Sequence, residues 1–177
     1  MNKLGIRKKI LNQRKKKYFQ YFDNSKIYNF LKKYKKNKIG GYFPINYEID
    51  CLEILKKLSK KNFQISLPIM KKNNQMDFFS WDFNQPLTIN NFGIPEPTSS
   101  KITYPDIFLV PIVSFDKNLY RLGYGGGYYD RYIARIKKIK NVITLGLSFS
   151  FQKIDKLPIN KFDQRLDAII TERNIFQ

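Results

Sequence analysis

The stretch of residues 106–147 constrains the fold more than any other part of the sequence. It opens with a mainly apolar run at residues 106–111, Asp-Ile-Phe-Leu-Val-Pro, which is typical of a strand buried on both faces. A glycine-rich turn follows, then a predicted helix at 129–140 with apolar residues on one face, and then a second apolar strand at 142–147. This order of strand, turn, helix and strand predicts a crossover unit in a mostly parallel sheet.

Shorter elements are predicted in the rest of the chain. Residues 3–36 indicate two short basic helices with a break near residues 23–25. A further helix is expected after Asn46, which is assigned as its N-cap, with Glu48 and Asp50 in the first turn. The remaining predicted strands lie at residues 38–43, 63–67, 76–81 and 168–171.

Residues 82–105 contain too many chain breakers for a long helix or a central strand. The breakers are Pro86, Gly93, Pro95, Pro97 and Pro105. A long surface loop is therefore predicted, and such loops in compact domains are often functional. Together these patterns predict an α/β fold. One compact domain over residues 1–177 would have a mostly parallel sheet flanked by helices in a Rossmann-like three-layer arrangement.

The chain is strongly basic, with 33 Lys and Arg against 14 Asp and Glu and a net charge of +19. Such a charge fits either a solvated, lysine-coated surface or a surface that binds nucleic acid. Because the lysines are scattered through nearly every segment, we favour the solvated surface and expect no nucleic-acid partner. A positive field of this kind also attracts small anionic ligands such as nucleotides.

Cellular location is predicted from what the sequence lacks. It does not approach the roughly 18 consecutive apolar residues that a membrane helix needs. The basic N-terminus is not followed by the apolar segment of a signal peptide. Cys51 is the single cysteine, which rules out an internal disulfide and is typical of a packed core residue. We expect a soluble, cytoplasmic and monomeric protein.

Residues 121–131, Arg-Leu-Gly-Tyr-Gly-Gly-Gly-Tyr-Tyr-Asp-Arg, form the most informative pattern. Glycines are costly to order, so a cluster of them indicates that their backbone freedom is needed. They allow main-chain amides to approach a phosphate, and a following helix offers unpaired amides and its positive dipole end. Arg121 adds donors suited to phosphate oxygens, and Asp130 is placed to hold a magnesium ion that bridges them.

The spacing of the glycines does not by itself decide the function of this turn. An ordinary glycine hairpin followed by a helix, with Asp130 offsetting the helix dipole, explains it equally well. The turn is not a Walker loop, because no Lys-Ser or Lys-Thr pair follows. It is not the dinucleotide fingerprint either, because Tyr128 stands where the third glycine would be.

A resemblance to a known family separates these two interpretations. The string RLGYGGGYYDR, preceded by a strand ending in Val-Pro and by Phe115-Asp116, resembles the signature of the 5-formyltetrahydrofolate cyclo-ligase family. Other segments resemble family motifs in the same order: Lys3 and Arg7, residues 42–50, 92–97, 151–152, 157–158 and 170–172. The resemblance therefore extends over nearly the whole chain.

The resemblance implies an enzyme that uses ATP and Mg2+ to convert 5-formyltetrahydrofolate into 5,10-methenyltetrahydrofolate, ADP and phosphate. It implies Arg121 as the catalytic residue. The implied ATP site consists of Lys3, Arg7, Arg121, Leu122, Gly123, Tyr124, Gly125, Gly126, Gly127, Tyr128 and Tyr129. The implied folate pocket consists of Phe43, Glu48, Tyr124, Gly125, Gly126, Gly127 and Tyr128. The implied metal ligands are Asp130 and Asp163.

Phe162 departs from the family, which usually has a histidine before the aspartate at position 163. Since the chain has no histidine, no imidazole can serve as a general base. Two alternatives stay open. One is a basic RNA-binding module, in which aromatic residues among the lysines would stack on bases. The other is an ATP-binding protein of the same fold with an altered substrate.

Overall fold

The computed structural model describes residues 2–17, 21–34 and 36–177, and within them the chain forms four α-helices and twelve strands. The helices are α1 (Lys3–Lys16), α2 (Ser25–Leu31), α3 (Leu52–Ser59) and α4 (Tyr128–Ile136). The strands are β1 (Lys38–Gly40), β2 (Gln64–Lys71), β3 (Gln75–Ser80), β4 (Leu87–Ile89), β5 (Pro95–Pro97), β6 (Ile102–Thr103), β7 (Ile107–Pro111), β8 (Ser114–Phe115), β9 (Arg121–Leu122), β10 (Ile143–Leu147), β11 (Ala168–Ile170) and β12 (Ile175–Phe176).

Eight of these strands form one mixed sheet in the order β12-β11-β10-β7-β1-β2-β3-β6. The inner strands from β11 to β2 pair in parallel, and the strands added at either end pair antiparallel. β4 and β5 form a separate hairpin, and β8 and β9 form a second one. The predicted α/β fold with a mostly parallel sheet is therefore confirmed.

Helices cover both faces of this sheet. Successive residues of β7 point to opposite faces, so Ile107 and Leu109 pack in the core beneath α2 and α3. Phe108 and Val110 pack in a second core that includes Tyr132 of α4. The resulting helix, sheet and helix layers explain why β7 is apolar throughout.

The predicted crossover unit is present. β7 and β10 are adjacent parallel strands with Ile107 opposite Ile143, and α4 connects them. Two N-terminal helices are confirmed as well, although residues 18–20 and 35 of the predicted helical segment lie outside the described residues. No helix in the described ranges is long and apolar enough to cross a membrane.

The prediction of Asn46 as a helix N-cap is wrong. Asn46 and Tyr47 have φ angles of 48° and 61°, which form a left-handed turn. Glu48 accepts a hydrogen bond from the backbone amide of Ile45 and belongs to this turn. α3 begins at Leu52, six residues after Asn46. The backbone N–H of Leu52 donates a hydrogen bond to the Asp50 carboxylate at 2.8 Å. The competing local turn therefore displaced the helix start.

Strand lengths also differ from the predictions. β1 ends at Gly40, before Phe43, whereas β2 is eight residues long and continues through Pro68 because β3 pairs with it along its length. Residues 82–105 are not a loop throughout, since they contain β4, β5 and β6. Pro95 and Pro97 are tolerated in β5 because that strand lies in a two-stranded hairpin outside the main sheet.

Candidate functional site

The candidate site residues follow two neighbouring strands, beyond the carboxyl ends of those strands. β1 and β7 pair in parallel, so the carboxyl ends of both strands lie at the same end of the sheet. The segment after β1 contains Phe43 and Glu48, and the segment after β7 leads through the β8–β9 hairpin to the glycine-rich turn. In α/β sheets, ligands commonly bind outside the carboxyl ends of parallel strands. Sheet topology thus explains why segments about 80 residues apart contribute to one region.

The glycine turn, residues 123–127, adopts a backbone that needs glycine. The φ angle is 115° at Gly125 and 68° at Gly127. A Cβ at Gly126 would come within 2.7 Å of the Tyr128 ring. α4 begins directly after this turn, and its N-cap residue, Gly127, has no side chain that could cap the first amides. The first amides of α4 are therefore available to an anion, which the helix dipole also favours.

Arg7 lies directly against the glycine turn. Its Nε donates to the carbonyl oxygen of Gly123 at 2.8 Å, and a Cβ at Gly125 would be 3.4 Å from its guanidinium. α1 is held in this position because Ile6 packs in a small core with Leu122. The predicted site residue Leu122 thus acts by packing, and the glycine at 125 lets the guanidinium approach the backbone.

Lys3 lies one helical turn before Arg7 and pairs with Asp163. The distance from Lys3 Nζ to Asp163 Oδ2 is 2.6 Å. The same carboxylate oxygen accepts a hydrogen bond from the backbone N–H of Asn160 at 2.7 Å. Phe162 is largely exposed and takes no part in these contacts. Asp163 therefore places Lys3 at the site.

Buried Arg121 and partly buried Asp130 form a charged pair. Arg121 is 7% exposed, and its NH1 group lies 3.0 Å from Asp130 Oδ1 and 3.1 Å from the carbonyl oxygen of Gln164. The backbone N–H of Gln164 donates to the same Asp130 oxygen at 2.9 Å. This closed network fixes Arg121 relative to α4 by three hydrogen bonds.

Asp130 and Asp163 are the predicted ligands of a magnesium ion at this site. No group of three or more His, Cys, Asp and Glu suited to a metal lies within the described residues. Asp130 accepts its two hydrogen bonds on Oδ1, whereas Asp163 uses Oδ2 for both Lys3 and Asn160. Magnesium is commonly held by one or two carboxylates together with substrate phosphates. Each carboxylate keeps one oxygen outside these contacts, Oδ2 in Asp130 and Oδ1 in Asp163, so both fit that role.

Glu48 has an unusual environment for a carboxylate. Its side chain is 3% exposed, its Oε2 accepts from the Ile45 amide at 3.0 Å, and its Oε1 has no hydrogen-bond partner within the described part of the chain. Burial raises the pKa of Glu48 to about 7, against the opposing effects of the Ile45 amide, the Arg14 charge and the Tyr124 hydroxyl. At neutral pH this carboxyl lies between its charged and neutral forms.

The three tyrosines of the turn have different surroundings. Tyr124 is 40% exposed, whereas the Tyr129 hydroxyl is buried with no hydrogen-bond partner among the described residues, and burial raises the Tyr129 pKa well above its ordinary value. Tyr128 contacts Phe92 edge to face, with ring centroids 6.3 Å apart. These two rings line a cleft of about 400 Å³ with residues 70–74, Asn90 and Asn91. Phe43 is half-buried in the segment after β1.

Arg14 was missed by sequence reasoning. It is 1% exposed and donates to the Asn46 carbonyl at 2.8 Å, to the Ile112 carbonyl at 2.9 Å and to the Tyr124 hydroxyl. A signal was present, because Ile6, Ile10 and Arg14 follow one another at four-residue spacing and so share the buried face of α1. An arginine on an apolar helical face needs buried partners.

Comparisons with known proteins agree with this geometry. Residues 2–172 match the 5-formyltetrahydrofolate cyclo-ligase family. A 5-formyltetrahydrofolate cyclo-ligase of Mycoplasma pneumoniae is 32% identical over 180 residues, covering 97% of this chain and 99% of the relative. The enzyme of the same name from Haemophilus influenzae is 30% identical over 149 residues, covering 80% of this chain and 79% of the relative.

Solved structures lead to the same family. A 5,10-methenyltetrahydrofolate synthetase from Mycoplasma pneumoniae superposes with a TM-score of 0.76 at 28% identity, covering 97% of this chain and 99% of that chain. The synthetase from Aquifex aeolicus gives a TM-score of 0.79 at 29% identity, covering 100% of this chain and 93% of that chain. The fold resemblance therefore includes the sheet and the site segments.

Fold and family together define an α/β ligase with a glycine-rich turn beyond the carboxyl ends of its parallel strands. The chain belongs to the 5-formyltetrahydrofolate cyclo-ligase family, whose members depend on ATP. This membership accounts for the glycine turn, which a basic RNA-binding module would leave unexplained.

Proposed function

We propose that this protein catalyses the ATP-dependent cyclisation of 5-formyltetrahydrofolate to 5,10-methenyltetrahydrofolate, with release of ADP and phosphate. The observation that supports it most strongly is the convergence of Arg7, Arg121 and the uncapped N-terminus of α4 on the glycine turn. Two guanidinium groups and a row of amides beside glycines suit the oxygens of a triphosphate.

The nucleotide would lie along the glycine turn. Its phosphates would accept from the amides of Gly125 to Tyr129, with Arg7 on one side and Arg121 on the other. Lys3 would add a flexible cation at the same edge, since its stem is half-buried and its ammonium is positioned by Asp163. Fixed donors of this kind stabilise the charge on a phosphoryl group in transfer without rearranging.

Asp130 is proposed as the protein ligand of Mg2+. Its Oδ1 is fixed by Arg121 and by the Gln164 amide, so Oδ2 is oriented before the nucleotide binds. When bound, magnesium neutralises charge on phosphate oxygens and orients them. Asp163 stays a predicted second ligand, although its Oδ2 is engaged by Lys3.

Folate is proposed to bind between the segment after β1 and the glycine turn. Phe43 and Tyr124 would contact the ring system, and the unpartnered Glu48 Oε1 would accept a hydrogen bond from a ring N–H or from N10–H. The glycines at 125–127 let the side chains of Arg7, Tyr128 and Arg131 lie close to the backbone of the turn. Phe92, in the segment between β4 and β5, faces Tyr128 and would cover the remainder of the substrate.

The reaction needs a better leaving group than an amide oxygen. In the proposed sequence the formyl oxygen attacks the terminal phosphorus of ATP, and ADP leaves. N10 then attacks the formyl carbon, and phosphate departs with the former formyl oxygen while N10 loses its proton. The protein supplies positioning and charge stabilisation for the first step. Buried Glu48 supplies an acceptor near N10 for the second.

A direct assay tests this proposal. The purified protein is mixed with 5-formyltetrahydrofolate, ATP and magnesium, and the near-ultraviolet absorbance of the methenyl product is followed together with phosphate release. We expect both signals to rise in equal amounts and to require all three components. ATP consumption without methenyl product would instead indicate the same fold with an altered substrate, and the absence of both signals would contradict the proposal.

We also propose that the protein works as a monomer in the cytoplasm. Cys51, the single cysteine, is fully buried, and burial raises the pKa of its thiol. A buried thiol in its neutral form is unreactive, which fits a reducing compartment and gives no covalent route to a dimer. Light scattering should give the mass of one chain, and a concentration-dependent increase towards two chains would contradict this.

A further inference from the structure

The guanidinium of Arg14 connects three segments that meet at the proposed folate pocket. Nε donates to Asn46, NH1 to Ile112 at the end of β7, and NH2 to the Tyr124 hydroxyl of the glycine turn. A planar fork of donors holds its partners in fixed directions. The three segments are otherwise distant in sequence, so Arg14 is a direct connection among them.

We propose that Arg14 is a positioning residue of the reaction, which holds Tyr124 and Glu48 in a single arrangement towards the bound folate. This inference rests on the proposed function, because it assigns a role within the proposed folate pocket. Arg14 does not contact the reacting atoms in this assignment. It acts through the hydroxyl of Tyr124 and through its charge beside Glu48.

Tyr124 needs such an anchor because of its neighbours. It stands between Gly123 and Gly125, two residues that restrict the backbone least. Its ring is partly exposed, whereas its hydroxyl accepts from Arg14, whose guanidinium carbon lies 5.9 Å from the ring centroid. Without Arg14 the Tyr124 side chain would sample several orientations, and folate binding would have to select one of them.

Glu48 is the second group that Arg14 controls. The distance from Arg14 NH2 to Glu48 Oε1 is 3.9 Å, too long for a hydrogen bond, so Oε1 stays without a partner in the described part of the chain. The titratable and charged groups that face Glu48 are Arg14 from α1, Tyr124 from the glycine turn, Tyr129 from α4, and Tyr42 and Cys51 from the segment between β1 and α3. Arg14 is the one cation in this set, so it favours the ionised carboxylate.

The test uses Arg14→Gln and Arg14→Lys, with Lys15→Gln as the matched control. Lys15 is the next residue of α1, is exposed, and its replacement removes the same charge from the same helix. For Arg14→Gln we expect a rise of about tenfold in the KM for 5-formyltetrahydrofolate, the usual size of a lost charged hydrogen bond. The Kd for ATP should stay within about twofold of the parent. Arg14→Lys should lie between the two, because an ammonium keeps the charge but not the fork.

The pH profile separates positioning from mere folding support. Loss of the cation should move the midpoint assigned to Glu48 upwards by about one unit in Arg14→Gln and leave it in place in Arg14→Lys and Lys15→Gln. The Glu48 carboxyl carbon can also be titrated by NMR in the protein without ligands. That measurement does not depend on the formation of methenyl product. A failure of the proposed role of Arg14 can therefore be distinguished from a failure of the proposed function.

A double-mutant cycle with Tyr124→Phe completes the test. If Arg14 acts through the Tyr124 hydroxyl, Tyr124→Phe should raise the folate KM in the parent but add little in the Arg14→Lys background. Independent, multiplied effects of the two changes would overturn the inference, as would an unchanged folate KM and pH midpoint in Arg14→Gln. Should Arg14→Gln fail to fold, the cycle with Arg14→Lys decides alone, because it keeps the buried charge.

Discussion

Arg14 and Arg121 are both buried, and their partners differ. Arg121 is 3.0 Å from the Asp130 carboxylate, so its charge is paired at the glycine turn. Arg14 donates mainly to two carbonyls and a tyrosine hydroxyl, and its nearest carboxylate oxygen, in Glu48, is 3.9 Å away. The charge of Arg121 is thus paired before the nucleotide arrives, whereas Arg14 lies beside a buried carboxyl whose pKa is raised to about 7.

The two arginines show that burial has different consequences for a charged group with a close partner and for one without. Pairing with Asp130 offsets the desolvation cost of Arg121 and fixes its direction, which suits charge stabilisation during phosphoryl transfer. Glu48 has no comparable partner, so burial dominates and its pKa rises to about 7. One region is organised for constant charge, and the other can exchange a proton near neutral pH.

The largest expected effect comes from removing the paired arginine. Arg121→Ala should lower kcat/KM for methenyl formation by about 10²–10³-fold, the range measured when a fixed donor to a developing charge is removed. Arg173→Ala, which changes an exposed arginine, is the control and should leave the rate near that of the parent. A rate near the parent value in Arg121→Ala would reduce Arg121 to an anchor for Asp130.

The second prediction concerns Glu48 and pH. Its folded pKa is raised from 4.5 to about 7, so stability is lost as pH rises through that window and stays lower above it. The lost stability is about 3 kcal/mol, which follows from about 1.36 kcal/mol per unit. Glu48→Gln should therefore remove this part of the pH dependence of urea unfolding, measured from about pH 4 to about pH 8 so that the whole window is covered.

Glu53→Gln provides the contrast for that measurement. Glu53 is exposed and its pKa is lowered, chiefly by its hydrogen bond from Lys57, so its own contribution is present at neutral pH and is lost as pH falls. If Glu48→Gln and the parent keep parallel stability curves across the window, the described burial of Glu48 does not control its ionisation. The contrast between the two arginine regions would then disappear.

A smaller effect is expected from Gly125→Ala. The φ of 115° at Gly125 opposes any side chain, and a methyl group there would touch the Arg7 guanidinium at 3.4 Å. We expect the Kd for ATP to rise about tenfold to hundredfold, since small misplacements of a binding group have effects of that order. Gly93→Ala is the control. Gly93 has a φ of 75°, and an added Cβ would have no atom within 4 Å, so this variant introduces backbone strain alone and should leave the ATP Kd unchanged. Equal ATP affinities in both variants would contradict the role of Arg7.

The smallest effect should come from Phe92→Ala on the folate side. Phe92 is 65% exposed and contacts Tyr128 edge to face, so its loss should raise the folate KM about threefold to tenfold, the size of one aromatic contact. ATP affinity and melting temperature should not change. Ile89→Ala, a similarly exposed apolar residue at 66% in the same hairpin, is the matched control. An equal rise in KM for both would point to a general effect of the hairpin.

Much of the fold was predictable because its strongest signals are local. The apolar run of β7, the helical face of α4 and the strand β10 each follow from periodicity within a few residues. The start of α3 was not predictable, because a left-handed turn at Asn46 competed with a plausible cap. The β8–β9 hairpin was also missed, since two-residue strands have too little pattern to detect.

The candidate site divides in the same way. The glycine turn, Arg121 and Asp130 were identified from one continuous segment, and their proposed roles still await the experiments above. Arg14 was not identified, although its place on the Ile6 and Ile10 face indicated burial. Its importance depends on Asn46, Ile112 and Tyr124, which are 32 to 110 residues away along the chain, and no local pattern identifies such partners.

By itself, the sequence determined the α/β class, the glycine turn and the family, because each depends on neighbours along the chain. Only the tertiary structure decided which segments meet. Pairing of β1 with β7 brought Glu48 beside the turn, and folding placed Arg14 within hydrogen-bond distance of Ile112 and Tyr124, 98 and 110 residues away. Such contacts form only when burial of the whole core outweighs the entropy of closing long loops, so they belong to the fold and not to any segment.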